Sequence, residues 1–489
     1  MTDTAPEFKR ALRLYDATML VIGSMIGSGI FIVSADIART VGSGGWLFVV
    51  WLMAGFMTVI GALAYGELAG MMPHAGGQYV YLREAYNPLV GFLYGWTFFL
   101  VIQTGTIAAV GVAFAKFTAV LFPGLGDSTV LAQIAGVKLT AQRLVAIISI
   151  VVLTFINTRG INGGKTIQNI LTSTKTASLL ALIVLGLAAG ISLTVVGGNL
   201  KGFWDAANVS FFGGRLVSHP LSGVSLLGAL GVAMVGSLFA SDAWNNVTFT
   251  AGETVNPKRT IPLSLAIGTV TVIVLYLLAN VAYLVVLPLS GDPLASDVAG
   301  RGIQFASDDR VATAAMTVIL GPLAATVMAV LIMISTFGCN NGLILSGARV
   351  YFAMAKDGLF FRSAGTLNRR SVPGVALVVQ AVWACLLCLS GTYSDLLDYV
   401  IFAVLLFYIL TVIGIFNLRH MRPDAERPYK AFGYPVLPLV YILAAGAVAV
   451  DLLILKPAYT WPGVIIVVLG IPVYALWRRF SPPLEGNRE

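Results

Sequence analysis

The residues best placed to do chemistry lie in two polar interruptions of otherwise apolar sequence. The first is Gly23-Ser24-Met25-Ile26-Gly27-Ser28-Gly29-Ile30-Phe31, inside an apolar run at 17–38 that is long enough to cross a bilayer. Glycine costs a helix interior about 1 kcal/mol relative to alanine, so this stretch makes a poor helix centre. Unwound backbone at membrane depth leaves N–H and C=O groups that lipid cannot satisfy. The N-terminus of a second half-helix would instead turn those N–H groups and a positive dipole end toward an anion such as a carboxylate. Taken alone, the same residues could equally form a small-residue packing face between helices. The second interruption, Gly236-Ser237-Leu238-Phe239-Ala240-Ser241-Asp242-Ala243-Trp244-Asn245-Asn246, shifts that balance. It repeats the Gly-Ser-apolar lead-in within another membrane-length run at 224–251. Paired interruptions at corresponding positions of two halves point to a substrate site between half-helices. Asp242, an ionisable residue inside a membrane segment, adds to that expectation.

The elements that must position these residues follow from composition. The chain has 489 residues, 58% of them hydrophobic and 11% charged, with mean hydropathy +0.88, which excludes a soluble protein. There is room for roughly 12 spans of about 20 residues. They are expected near 17–38, 45–71, 88–122, 141–157, 168–190, 224–251, 262–288, 311–343, 374–390, 396–418, 434–454 and 460–478, the third and eighth long and tilted. Twelve spans put both termini on one side. Of the 30 Lys and Arg residues, 20 then fall on the N-terminal side and 8 opposite. That excess predicts that both termini are cytoplasmic, in a multi-pass protein of the cell membrane. The net charge of +8 is spread over short loops and does not suggest nucleic acid.

Other chemistries find little support. His74, His219 and His420 are scattered, so no metal site or cofactor is expected. No nucleophile–base pair or converging acids suggest an enzyme. Cys385-x-x-Cys388 has redox spacing but no nearby His or third Cys, and reads as helix packing. No cleavable leader is expected ahead of Lys9-Arg10-Ala11-Leu12-Arg13. The longer stretches 191–223 and 289–310 are expected outside, and the last two spans to be structural or an oligomer contact.

Several motifs in order resemble the amino acid–polyamine–organocation superfamily, and within it the bacterial relatives of L-type amino-acid transporters. They are Gly27-Ser28-Gly29-Ile30-Phe31, Tyr65-Gly66-Glu67-Leu68, Pro73-His74-Ala75-Gly76-Gly77-Gln78-Tyr79, Phe239-Ala240-Ser241-Asp242-Ala243-Trp244-Asn245 and Asn256-Pro257-Lys258-Arg259-Thr260-Ile261-Pro262. The resemblance runs over about 12–420. It implies an all-α fold of the LeuT type, 12 transmembrane helices with helices 1 and 6 broken. It places one five-helix repeat at 17–190, an inverted repeat at 224–418 and two further helices at 434–478, between cytoplasmic segments 1–16 and 479–489. It also implies alternating access.

Carried onto this sequence, the resemblance assigns the substrate carboxylate to the N–H groups of Gly27, Ser28 and Gly29. The substrate ammonium would meet carbonyls at Met25, Ile26, Phe239 and Asp242, and Ala240 is expected among the substrate-binding residues. Phe239 would be an aromatic gate, and Trp244 either a site residue or a packed aromatic. Lys175 matches a lysine that replaces a second sodium ion in sodium-independent relatives; the competing expectation is snorkelling. Asp242 stands where many carriers of large neutral amino acids have glycine, leaving open a contact with the substrate ammonium, a contact with a cationic side chain, or proton shuttling. Gln103, Thr104, Ser335, Cys339, Asn340 and Asn341 either line the pocket or join helices. Glu67 is expected in cytoplasmic-side structure, Glu253 in an inner gate with Lys258 or Arg259, and Lys116 snorkelling. The implied activity is sodium-independent transport of L-amino acids, neutral ones first, by exchange or proton symport. A cationic amino acid or polyamine is the alternative. No cysteine lies within 123–140, where heteromeric relatives attach a heavy subunit, so no disulfide-linked partner is expected.

Overall fold

The computed structural model describes residues 8–134, 137–390 and 393–480; parts of the expected cytoplasmic end segments and of the 123–140 loop lie outside these. Among the described residues, eleven helices are long and apolar enough to cross a membrane. Span 1 is Leu14–Met25 continued by Gly29–Ile32 and Ser34–Val41. Span 2 is Gly44–Met71, and span 3 runs Pro88–Leu121 with a π-helical turn at Phe98–Ile102. Spans 4 and 5 are Ala141–Thr158 and Ile161–Ala188. Span 6 is Gly223–Ala240 followed, after a gap, by Asn246–Phe249. Span 7 is Pro257–Val286, span 8 Pro322–Lys356, and span 10 Tyr393–Met421. Spans 11 and 12 are Val436–Leu455 and Pro457–Phe480. Span 9, Gly374–Leu387, is a short apolar helix of 14 residues.

Three expectations need correction. Both Gly-Ser lead-ins are helical: Gly23 to Met25 complete the first half of span 1, and Gly236 to Ala240 complete the first half of span 6. The true gaps are shorter and come later, at Ile26 to Ser28 and Ser241 to Asn245. Helical bonding persists as far as Ile26, whose N–H donates to Ile22 at 2.9 Å. In the second gap Ala243 takes φ +66, a left-handed conformation that a side chain disfavours. Span 8 was expected at 311–343, yet Val311–Leu320 is a separate helix. Gly321, at φ +82, breaks it, and Pro322 opens the next helix at N1. Cys339 is thereby moved to the middle of span 8. Span 5 starts earlier than expected, which moves Lys175 from its first third to its centre.

Two surface hairpins, Val130–Ile134 with Val137–Thr140 and Ala207–Phe212 with Arg215–Pro220, and the short helix Gln78–Ala85 were not foreseen. The core is built on spans 1, 3 and 6 and the helices against them, whereas spans 11 and 12 turn apolar faces outward through Leu443, Ile454, Val468 and Leu469. The halves of the molecule meet closely where the two gaps cross: a Cβ on Gly29 would stand 2.4 Å from the Ala240 Cβ. Only glycine admits that approach.

Candidate functional site

The first gap is held from three sides by side chains that donate to its carbonyls. Lys175, fully buried in span 5, donates to the carbonyl of Gly23, to that of Ile26 at 2.8 Å and to that of Ser335 at 3.4 Å. Ser335 of span 8 donates its hydroxyl to Ile26 O at 3.2 Å and Gly27 O at 3.1 Å. One turn on, the Cys339 thiol meets Ser24 O at 3.0 Å. The Tyr276 hydroxyl of span 7 donates to Met25 O at 3.0 Å and to Ala240 O at 3.1 Å, so one side chain ties both gaps together. Among the described residues, the N–H groups of Gly27 and Gly29 meet no protein acceptor.

This geometry sorts the expected residues. Gly27, Ser28 and Gly29 do form an unwound turn. Ile26 O, however, already accepts from Lys175 at 2.8 Å and shares the single proton of Ser335 with Gly27 O, which leaves it a weak partner for a substrate ammonium. Met25 O and Ala240 O are each engaged once, by Tyr276. Phe239 ends the first half of span 6 beside the crossing. The Asp242 carboxylate accepts the Tyr408 hydroxyl at 2.6 Å and borders a narrow cavity shared with Gln78, Tyr94, Gln103, Asn245 and Asn246. The Tyr94 hydroxyl and the Asn246 amide nitrogen are buried there without a hydrogen-bond partner.

Trp244 is a packed aromatic. Its ring lies 4.8 Å from Tyr65 and 5.1 Å from Tyr408. Asn341 does not line the cavity: its amide bonds Gln168 at 2.9 Å and accepts from Asn157 at 2.9 Å, joining spans 4, 5 and 8. Asn340 donates to Ile107 O and Thr104 to Phe99 O, both joining or closing helix. Gln103 lines the cavity while donating to Leu343 O at 2.7 Å.

The gaps lie between unequal faces. On one side a vestibule of about 790 Å³ descends to Val33 and Gly236, which flank the two gaps. Lys116 lines this vestibule, correcting the snorkelling expectation. On the other side buried ion pairs join the spans beneath the gaps. Glu253 is paired with Arg349 through two bonds of 3.0 and 2.9 Å, both side chains being almost fully buried. The expected partners Lys258 and Arg259 do not reach it; Lys258 turns to Glu426. The backbone of Ala11 and Leu12 donates to Glu253 O at 2.8 and 2.9 Å, which fastens the N-terminal segment beneath span 6. Glu67 joins span 2 to span 10 through Arg419 at 2.6 Å, and Arg83 bridges to Asp357.

Sequence reading missed Tyr276, Tyr408, Gln78 and Arg349. For Tyr276 a signal existed: Tyr276, Asn280 and Tyr283 recur at helical spacing on span 7. All three face span 1 or the residues after it, Asn280 accepting from Ser34 at 2.7 Å and Tyr283 donating to Ile30 O at 3.2 Å.

Comparison with known proteins agrees with this arrangement. Residues 12–474 match the amino acid permease family. The chain is 26% identical to mouse b(0,+)-type amino acid transporter 1, over 96% of its own length and 88% of the relative's. It is 28% identical to human large neutral amino acids transporter small subunit 2, over 96% and 80%, and 27% identical to human b(0,+)-type amino acid transporter 1, over 97% and 89%. With its many apolar spans and two crossing interrupted helices, this multi-pass integral membrane protein belongs to the amino acid permease family.

Proposed function

We propose that the chain is a sodium-independent secondary transporter of neutral L-amino acids, working by alternating access with both termini in the cytoplasm. The observation that carries this reading is the Lys175 ammonium group, fixed among the carbonyls of Gly23, Ile26 and Ser335. A sodium ion placed about 4 Å from that charge would meet repulsion of roughly 4 kcal/mol at an effective dielectric of 20. The carbonyls it needs are also already occupied. The substrate carboxylate goes to the N–H groups of Gly27 and Gly29.

The substrate's α-ammonium then falls to Asp242, because Ile26 O is already engaged by Lys175. Asp242 is the only acid among the described residues lining the narrow cavity, so no carboxylate remains there for a second, distal cation. This favours neutral side chains over arginine or a polyamine. No disulfide-linked subunit is placed beside the chain, since 123–140 holds no cysteine.

The test is uptake of labelled alanine, leucine and arginine into proteoliposomes, in sodium and in choline buffers. Uptake of alanine or leucine independent of sodium is expected. Movement of arginine alone would overturn the neutral assignment, and an absolute need for sodium would overturn the role of Lys175. Repeating the assay with internal substrate, and separately with an imposed pH gradient, separates exchange from proton symport. Asp242→Asn should weaken neutral substrate binding; wild-type kinetics in that variant would leave the aspartate a packing role only.

A further inference from the structure

We propose that Lys116 of span 3 and Asp36 of span 1 form, at the mouth of the vestibule, an entry subsite that takes the zwitterionic head of the amino acid before it reaches the central gaps. The proposal rests on the amino-acid transport reading above and adds a second site to it. Val112, Lys116, Ala119 and Val120 recur at helical spacing along span 3 and all line the vestibule, so this face of the helix meets water and not lipid. Lys116 is five residues from the end of that helix at Leu121, about 7 Å below its rim at 1.5 Å per residue. The floor beneath it is made by Val33 and Gly236, four residues after Gly29 and three before Phe239. A ligand held at Lys116 is therefore on the way to the gaps.

The charges around the mouth are divided unequally. Arg39 is clasped by Asp309 at 2.7 Å and also reaches Asp36 at 3.5 Å, while Arg310 pairs with Asp308 at 2.8 Å. Arg143 is capped by the carbonyls of Lys138 and Leu389. Lys116 lies within the electrostatic field of Asp308 and Asp309, but among the described residues it forms no ion pair or hydrogen bond. Asp36 is only loosely held, sharing an arginine that Asp309 already occupies, with its side chain 66% exposed. The lining holds four acids, Asp36, Asp127, Asp308 and Asp309, against five cations, Arg39, Lys116, Arg143, Arg310 and Lys456. The mouth is thus close to neutral and does not repel a zwitterion, yet presents one unengaged cation and one weakly engaged carboxylate. An α-amino acid offers the complementary pair: its carboxylate for Lys116 and its ammonium for Asp36. Partial burial of the lysine in a low-dielectric wall strengthens such an attraction over that of a fully exposed pair.

The experiment compares Lys116→Gln and Lys116→Arg with the wild type, using leucine uptake into intact cells and into inside-out vesicles. Lys116→Gln is expected to raise KM about three- to tenfold for uptake from the vestibule's face, with the maximal rate kept, which is the scale of a partly screened charge pair. KM from the opposite face should not change, and Lys116→Arg should restore most of the loss. Raising ionic strength should increase the wild-type KM and leave that of Lys116→Gln nearly flat. An unchanged KM, or one raised equally from both faces, overturns the subsite. If the wild type itself moves no amino acid, the transport reading fails first, and that outcome is distinct from the others.

Discussion

The two faces of the molecule use the same side chains to opposite effect. At the vestibule, Arg39 and Asp309 meet at 2.7 Å but remain 24% and 34% exposed. At the other face, Arg349 and Glu253 meet at 2.9 Å and are 2% and 1% exposed. Water screens the first pair and is excluded from the second. The first can therefore be remade at little cost as the mouth widens or narrows. The second cannot part unless both charges are rehydrated together, as they would be if this face opened as a unit. The N-terminal segment reinforces the difference, since Ala11 and Leu12 are bonded to Glu253 itself. The described residues are accordingly open at the vestibule and joined by buried ion pairs beneath the gaps, the asymmetry that one end of the proposed alternating-access cycle requires.

The largest effect is expected at the hinge between the faces. Lys175→Ala removes the donor shared by three buried carbonyls; Ile26 O keeps the Ser335 hydroxyl and Ser335 O lies within the span 8 helix, so it is Gly23 O that loses its side-chain donor, at about 1–3 kcal/mol. Uptake should fall by about ten- to a hundredfold on that scale, with the protein still folded by size-exclusion chromatography. Uptake near wild type would mean that the gap does not depend on a fixed cation. Next comes the sealed face. Arg349→Ala strands the Glu253 carboxylate in a buried site, a change that costs about 3–5 kcal/mol. Thermal stability in detergent should drop accordingly, and a cysteine introduced beside the seal should become reactive from that side. If stability does not change, the pair is not holding the face shut, and the contrast between faces collapses.

Much of this contrast was legible in the sequence, but unevenly. The two interruptions could be anticipated, because small and charged residues in apolar runs have few other uses, and the place of Lys175 followed from the family resemblance. The extent of the gaps could not. Gly23 and Gly236 look like breakers, yet each lies in a helix whose bonding survives for three and five residues more, to Ile26 and Ser241. Span 8 was misplaced because 311–343 is continuously apolar, and the local backbone at Gly321-Pro322, not hydropathy, sets its start. Glu253 was paired with the nearest cations in sequence, whereas its partner, Arg349, comes from a different helix. Such pairings depend on tertiary packing, which one sequence without periodic clues does not reveal. Where periodicity existed it went unused: Lys165, Asn169, Thr172 and Lys175 form a stripe bonded to Ala11 O, Asp16, Met19 O and the first gap. That stripe and the one on span 7 hold the two halves of span 1 separately.

A middle-sized effect tests whether the two gaps move together. Tyr276→Phe deletes the hydroxyl proton shared by Met25 O and Ala240 O while keeping the ring, at about 1 kcal/mol for the shared bond. Transport should slow about fivefold, with little change in thermal stability. A variant as fast as the wild type would show that the gaps need no shared donor.

The smallest effect belongs to the open face, and it is the sharpest check on the comparison because the same chemistry is altered as at Arg349. Asp309→Asn removes one charge from the rim pair. Arg39 keeps Gln304 O at 2.6 Å and Asp36 as alternatives, and solvent reaches the site, so the remaining charge is not left without a partner. The expected stability change is below about 1 kcal/mol, as for other exposed ion pairs, against several for Arg349→Ala. The effect should also shrink in high salt, which the sealed pair should hardly notice. If Asp309→Asn destabilised the protein as much as Arg349→Ala, water would not be what distinguishes the two faces. The vestibule would then be a rigid mouth and not the side on which the cycle stands open.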